Sequence, residues 1–246
     1  MKFAKKALAL SSVLGIAHCL PAISSIPSVR RVLFPNLLGV GKSGHVALTF
    51  DDGPDHKSTP LILEILDEYN WKATFFLLGI MVKREPDLAA EILSRGHEIG
   101  VHGFEHNNHL YRTLPAVISD VRRAYDVIVR ATGTAPTWFR PPYGILSSSS
   151  YLAAKMNGLR PILWTTWGLD WEDCSTPETI LSQLSGGLSA QDHLSPLFAS
   201  PTLLLHDSDC TSEISMSKAT IGSLTLLSDW ARKNSIQIGA LRDHFK

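Results

Sequence analysis

Short apolar runs alternate along the chain with stretches whose apolar positions recur every three or four residues. Residues 46–50 (Val-Ala-Leu-Thr-Phe) form a run rich in aliphatic, β-branched and aromatic side chains, the pattern of a buried strand. Residues 73–78, 98–102, 138–140, 161–166, 202–205 and 236–241 read the same way. Helices are predicted between them. Over 60–69, Leu61, Ile62, Ile65, Leu66 and Tyr69 share one side, and Pro60 sits in the first turn. Another helix spans 86–94 and is ended by Gly96. The clearest carries Ile118, Val121, Tyr125 and Ile128 at helical spacing, and further helices are expected over 149–156, 177–184 and 218–233. Strand–helix alternation predicts a parallel sheet with helices outside it. The expected fold class is α/β, a distorted or incomplete (β/α) barrel of about seven parallel strands. Residues 186–196 read as a loop, and no internal repeat is visible.

The N-terminus breaks this rhythm. Lys2, Lys5 and Lys6 precede the apolar run 7–17, and small residues and Pro21 follow. That order matches a secretory signal, with an uncleaved anchor as the rival reading. His18 and Cys19 spoil a tidy cleavage pattern. The expected organisation is a signal or anchor over 1–23, a connector over 24–44 and one catalytic domain over 45–246. Composition agrees with one domain: 246 residues, 44% of them hydrophobic, suffice for a sizeable core. Lys plus Arg equals Asp plus Glu at 23 each, so no basic field favours nucleic acid. Membrane contact is expected only through the N-terminal segment. The expected location is secreted or in the cell envelope. With Cys19 removed, Cys174 and Cys210 remain, an even pair that can bridge in an oxidising compartment.

In a β/α barrel, chemistry gathers at the C-terminal ends of the strands. The reactive side chains of this sequence fall there. Asp51 and Asp52 end the first strand ahead of a Gly-Pro breaker. Two carboxylates so close repel, so one must be neutralised by a proton or a cation. His102 and His106 stand four apart, a spacing that lets both ligate one ion. With a carboxylate from another strand they would hold zinc or another divalent transition metal with open positions. His97 reads as structural and His109 as a surface or supporting residue. Arg140 precedes Pro141-Pro142-Tyr143-Gly144, a stiff turn that can hold the arginine against a carboxylate. His206 ends the 202–205 strand, and Trp164, Trp167 and Trp171 cluster around Asp170. Some of these indoles could line a sugar groove.

Taken in order, Thr49-Phe-Asp-Asp-Gly-Pro54, His102-x-x-x-His106, Arg140-Pro-Pro-Tyr143, Asp170-Trp171 and Leu204-x-His206 resemble the polysaccharide deacetylases of the NodB-homology type, carbohydrate esterase family four. The resemblance covers residues 45–241. It implies a metal-dependent hydrolase that removes N-acetyl groups from sugar polymers such as peptidoglycan or chitin-like chains. By motif, Asp52, His102 and His106 would be the metal ligands and Asp51 the general base. Arg140 would hold Asp51, and His206 would be the general acid. The Tyr143 amide would serve the oxyanion, with Trp171 and Leu204 walling an acetyl pocket. The resemblance implies one divalent metal, zinc in first place and cobalt or another transition metal after it. Two departures stand out. Gly103 replaces a usual Ser or Thr, and Trp167 occupies a position where an acid is usual, so Asp170 is expected to orient His206. Alternatives are an O-acetyl esterase on xylan or a similar glycan, and a non-catalytic glycan-binding descendant.

Overall fold

The computed structural model describes residues 15–189, 200–210 and 217–245. Among the described residues, eight strands carry the fold: β1 (His45–Asp51), β2 (Thr74–Leu77), β3 (Glu98–Val101), β4 (Trp138–Phe139), β5 (Arg160–Pro161), β6 (Thr166–Trp167), β7 (Thr202–His206) and β8 (Gln237–Gly239). All pairings are parallel, in the order β5-β4-β3-β2-β1-β7-β6, with β8 against the start of β1. A flat sheet of seven strands would hold its two edges about 29 Å apart. Here the edge strands are β5 and β6, joined only by residues 162–165. A connection that short spans at most about 18 Å. The sheet must therefore curl into an incomplete barrel, as the strand–helix alternation predicts.

Helices clothe the outside: α1 (Pro27–Leu33), α2 (Thr59–Glu68), α3 (Gly79–Arg84), α4 (Pro86–Ser94), α5 (Leu114–Thr132), α6 (Ser148–Met156), α7 (Pro177–Ser189), α8 (Ser217–Lys233) and α9 (Leu241–His244). Their termini follow local chemistry. Proline opens α2 and α4, Ser147 and Ser150 form a capping box on α6, and left-handed Gly133 closes α5. Strand alternation sorts the apolar side chains into two layers. Val46, Leu48 and Phe50 of β1 join the large core between sheet and helices. Ala47 faces the barrel interior with Phe76, Trp138 and Ile162.

Four expectations change. The run 161–166 is two short strands, because its amides change partner along the way. Ile162 N–H donates to the Phe139 carbonyl, Leu163 N–H to Leu37 and Thr165 N–H to Thr202. Helix α3 was not foreseen. The expected connector over 24–44 holds α1 and a 3₁₀ turn at Pro35–Leu37 that lies against the β5–β6 seam. The expected loop over 186–196 begins as the end of α7, and residues 190–196 lie outside the described set. Most of the expected signal, residues 1–14, also lies outside it. Residues 15–19 are helical, with His18 Nε2 3.1 Å from the Leu110 carbonyl. No helix among the described residues is long and apolar enough to cross a membrane.

Candidate active site

Register and pleat bring the site together. Asp51 pairs with His206 and Thr49 with Leu204 across the β1–β7 ladder. Side chains at alternate positions share a face. Asp51, Leu204 and His206 accordingly line one cavity of about 310 Å³, with Asp52, His102, His106, Tyr143 and Trp171 around it. Every residue expected at the rim lines this cavity or touches a residue that does. Arg140 and Asp170 lie behind it. Two larger surface cavities, of about 750 and 600 Å³, contain none of these groups.

Asp51 and Asp52 are both buried, at 2% and 1% exposure, and both lie within 4 Å of His102 Nε2, yet their nearest partners differ. Arg140 Nη1 donates to Asp51 Oδ1 at 2.6 Å and to Thr49 Oγ1 at 2.8 Å. The guanidinium also reaches the Leu163 carbonyl and lies 4.0 Å over the Phe76 ring. Burial raises the Asp51 pKa and Arg140 pulls it back, leaving it at about 6. Asp52 turns toward the histidines. Its Oδ1 is 3.4 Å from His102 Nε2 and 3.6 Å from His106 Nε2.

Asp52, His102 and His106 each offer one ligand atom, all within 4.8 Å of one another. His102 Nδ1 lies 2.9 Å from the Arg140 carbonyl, a contact that takes its ring N–H and leaves the Nε2 lone pair facing the cluster. Burial lowers the pKa of both histidines, His102 well below the ordinary value, so both are neutral donors at neutral pH. Two neutral imidazoles and one carboxylate fit a divalent transition metal. Gly103, between the two histidines, has φ +105, a conformation that disfavours the usual Ser or Thr. Phe104 N–H donates to Asp120 Oδ2 at 2.8 Å, which fastens the loop between the two histidines to α5.

His206 stands next to Asp51, one strand over on β7. Its Nδ1 is 2.8 Å from Asp170 Oδ1, and its backbone N–H donates to Asp170 Oδ2 at 2.8 Å. Thr220 Oγ1 donates to that same oxygen. Burial disfavours the imidazolium, but Asp170, with Asp52 and Asp51 beyond it, outweighs burial and raises the pKa to about 9. Asp170 thus reaches His206 despite Trp167. Trp171 stands edge-on to the imidazole at 5.3 Å, and Tyr143 edge-on to His106 at 4.3 Å.

Three supporting residues escaped sequence reasoning. Thr49 lies two positions before Asp51, so strand alternation was a usable signal for it. Asp207 follows His206; burial raises its pKa to about 7. Thr220 carries no local signal. His97 is structural as expected, its Nδ1 accepting the Ala73 N–H, and His109 is fully buried against Asp120 rather than on the surface. The Cys174–Cys210 bridge is not formed: both thiols are free, and Cys210 Sγ is turned toward the Asp52 carbonyl at 3.8 Å.

Residues 39–162 match the polysaccharide deacetylase family. A peptidoglycan-N-acetylglucosamine deacetylase of Bacillus cereus is 35% identical over 170 residues, which is 66% of this chain and 72% of that protein. A chitin deacetylase of Cryptococcus neoformans var. grubii is 33% identical over 49% of this chain and 25% of its own length. Among solved structures, a peptidoglycan N-acetylglucosamine deacetylase bound to an N-hydroxybenzamide superposes with TM-score 0.72 at 28% identity, covering 83% of this chain and 90% of that one. Fold, site geometry and these likenesses agree: the chain belongs to the polysaccharide deacetylase family of the NodB-homology type.

Proposed function

We propose that the protein hydrolyses the N-acetyl groups of an N-acetylglucosamine-containing polymer, peptidoglycan or a chitin-like chain, and releases acetate. One observation carries this reading. A buried carboxylate held by an arginine and a carboxylate-backed histidine, neighbours across the β1–β7 ladder, line a small cavity beside an Asp-His-His cluster. That is a base, an acid and a metal site around space for an acetyl group.

Asp52, His102 and His106 would hold the ion, zinc in first place. When bound, a divalent cation supplies Lewis-acid activation of water and of the acetyl carbonyl. Asp51 takes the proton of the attacking water. Arg140 keeps that carboxylate oriented and ionised above about pH 6. The Tyr143 amide, set by the rigid Pro141-Pro142 turn, faces the developing oxyanion. His206, charged below about pH 9, gives its proton to the departing nitrogen. An amine is a poor leaving group until protonated, whereas an ester alcohol needs less help, so a His206 that stays protonated at neutral pH suits amide cleavage. Trp171 and Leu204 wall the acetyl pocket.

The basic, then apolar N-terminus and the wall polymers named for the relatives support delivery outside the cytoplasm, with residues 45–246 as the catalytic unit. The test is incubation of zinc-loaded protein with N-acetylated glycans and O-acetylated xylan, reading acetate and product mass. Acetate from the amide substrates is expected. Acetate from the esters alone would overturn the assignment.

A further inference from the structure

Asp207 is fully buried and lines no part of the catalytic cavity. Alternation along β7 sends His206 into the barrel and Asp207 the other way. There it grips the segment that carries both catalytic aspartates. Asp207 Oδ1 accepts the Gly53 N–H at 3.0 Å, and Oδ2 accepts Thr59 Oγ1 at 2.7 Å. The Asp207 carbonyl accepts Ser58 Oγ at 2.6 Å, and its N–H donates to the Asp51 carbonyl at 3.2 Å. On the far side, the Gly53 carbonyl accepts the Leu78 N–H at 3.0 Å. Gly53, the residue after Asp52, is thus clamped between β7 and the end of β2. The clamp is tight enough that a Cβ on Gly53 would fall 2.0 Å from Asp207 Oδ2.

Asp52 itself has φ +79, a backbone that L-residues rarely adopt. Such a conformation persists only where its surroundings impose it. We propose that Asp207 is a positioning residue that imposes it: by fixing Gly53 and Thr59, it aims the Asp52 carboxylate at His102 and His106. The dipeptide His206-Asp207 then does two jobs, presenting the acid with one side chain and setting the metal carboxylate with the other. This rests on the metal-site reading above.

The experiment is calorimetric titration of the full-length protein with Zn²⁺, with the visible spectrum of the Co²⁺-loaded protein as a second readout. Wild type should bind one ion; if it binds none, the metal-site reading falls and this proposal with it. Supporting groups behind metal ligands are worth about 10–100-fold in affinity. Asp207→Ala should weaken Zn²⁺ by about tenfold or more and alter the Co²⁺ band, lowering kcat more than it changes KM. Asp207→Asn keeps an acceptor for Gly53 and should recover much of the affinity. Thr59→Val, which removes one hydroxyl without changing shape, should fall between. If Asp207→Ala does not fold, the other two variants decide. Wild-type affinity and an unchanged Co²⁺ spectrum in the folded variants would overturn the proposal, whatever the loss in thermal stability.

Discussion

The most discriminating test of the acid assignment is Asp170→Asn. In the wild type, Asp170 accepts from the backbone N–H and the Nδ1 of His206 and holds the imidazole pKa at about 9. Against an ordinary histidine value of ~6.5, that difference corresponds to roughly 3 kcal/mol in favour of the charged ring. An asparagine can still accept the ring N–H but brings no charge. Burial then acts unopposed by Asp170, and the pKa should fall to about 6.5 or below. At pH 7.5 the protonated fraction drops about tenfold, from about 97% to about 10%, and at pH 8.5 roughly 75-fold. The assay is acetate release from chitooligosaccharide across pH 5.5–10, with the His206 ring proton followed by NMR over the same range. The alkaline limb of kcat should move from near 9 to about 6.5 or lower, while activity near pH 6 reports any loss of orientation separately. A limb that stays near 9 in the variant would refute the argument, since Asp170 would not be the source of the raised pKa. The same pair fixes a sign for stability. His206 has a folded pKa above its unfolded one, so its contribution is fully present below about pH 6.5. It is lost as pH rises through about 9 in the wild type and is absent from the variant.

Other substitutions separate the remaining roles. Asp51→Asn should cut acetate release about 10²–10⁴-fold yet leave zinc affinity close to wild type, checked by kinetics beside calorimetry. Chelation should abolish acetate release and readdition of Zn²⁺ or Co²⁺ restore it. Free ion at about 100 times Kd should also stabilise the fold by about 2.7 kcal/mol, visible as a raised melting temperature. Arg140→Met leaves a buried carboxylate without its counter-charge and should destabilise by about 3–5 kcal/mol in denaturant titrations. That loss should be larger at pH 8 than at pH 5, because without Arg140 the raised Asp51 pKa rises further and ionisation opposes folding.

Much of this site is written in local sequence. Strand ends are marked by Gly and Pro, and a β/α barrel sends such ends to one rim, so Asp51, His102, Arg140 and His206 could be gathered without coordinates. What escaped depends on partners remote in sequence. The run 162–165 is uniformly apolar or neutral, so nothing in its pattern marks where it leaves β4, touches Leu37 and joins β7. Helix α3 spans only Gly79–Arg84, too short for a 3.6-residue period to show. Thr220 reaches Asp170 from α8, fifty positions away, and a threonine in a helix is ordinary. Counting thiols only allows a Cys174–Cys210 bridge, whereas the fold turns Cys210 toward Asp52 and leaves Cys174 in the turn that follows Asp170.

The aspartate doublet shows why adjacency in sequence does not mean equivalence in the site. Strict pleating would send neighbours to opposite faces. Asp51, still in β1, points inward and is taken by Arg140. Asp52 should then face the helices, where its charge would be buried among the aliphatic side chains of the outer core. The left-handed turn at Asp52 reverses that fate and returns its carboxylate to the cavity beside the two histidines. Such a backbone costs on the order of 1–2 kcal/mol for a residue with a Cβ. The loop is held in place by bonds from β7 to Gly53 and Thr59 and from β2 to Gly53. One carboxylate is thereby turned to the two histidines, while the other lies 2.6 Å from a guanidinium.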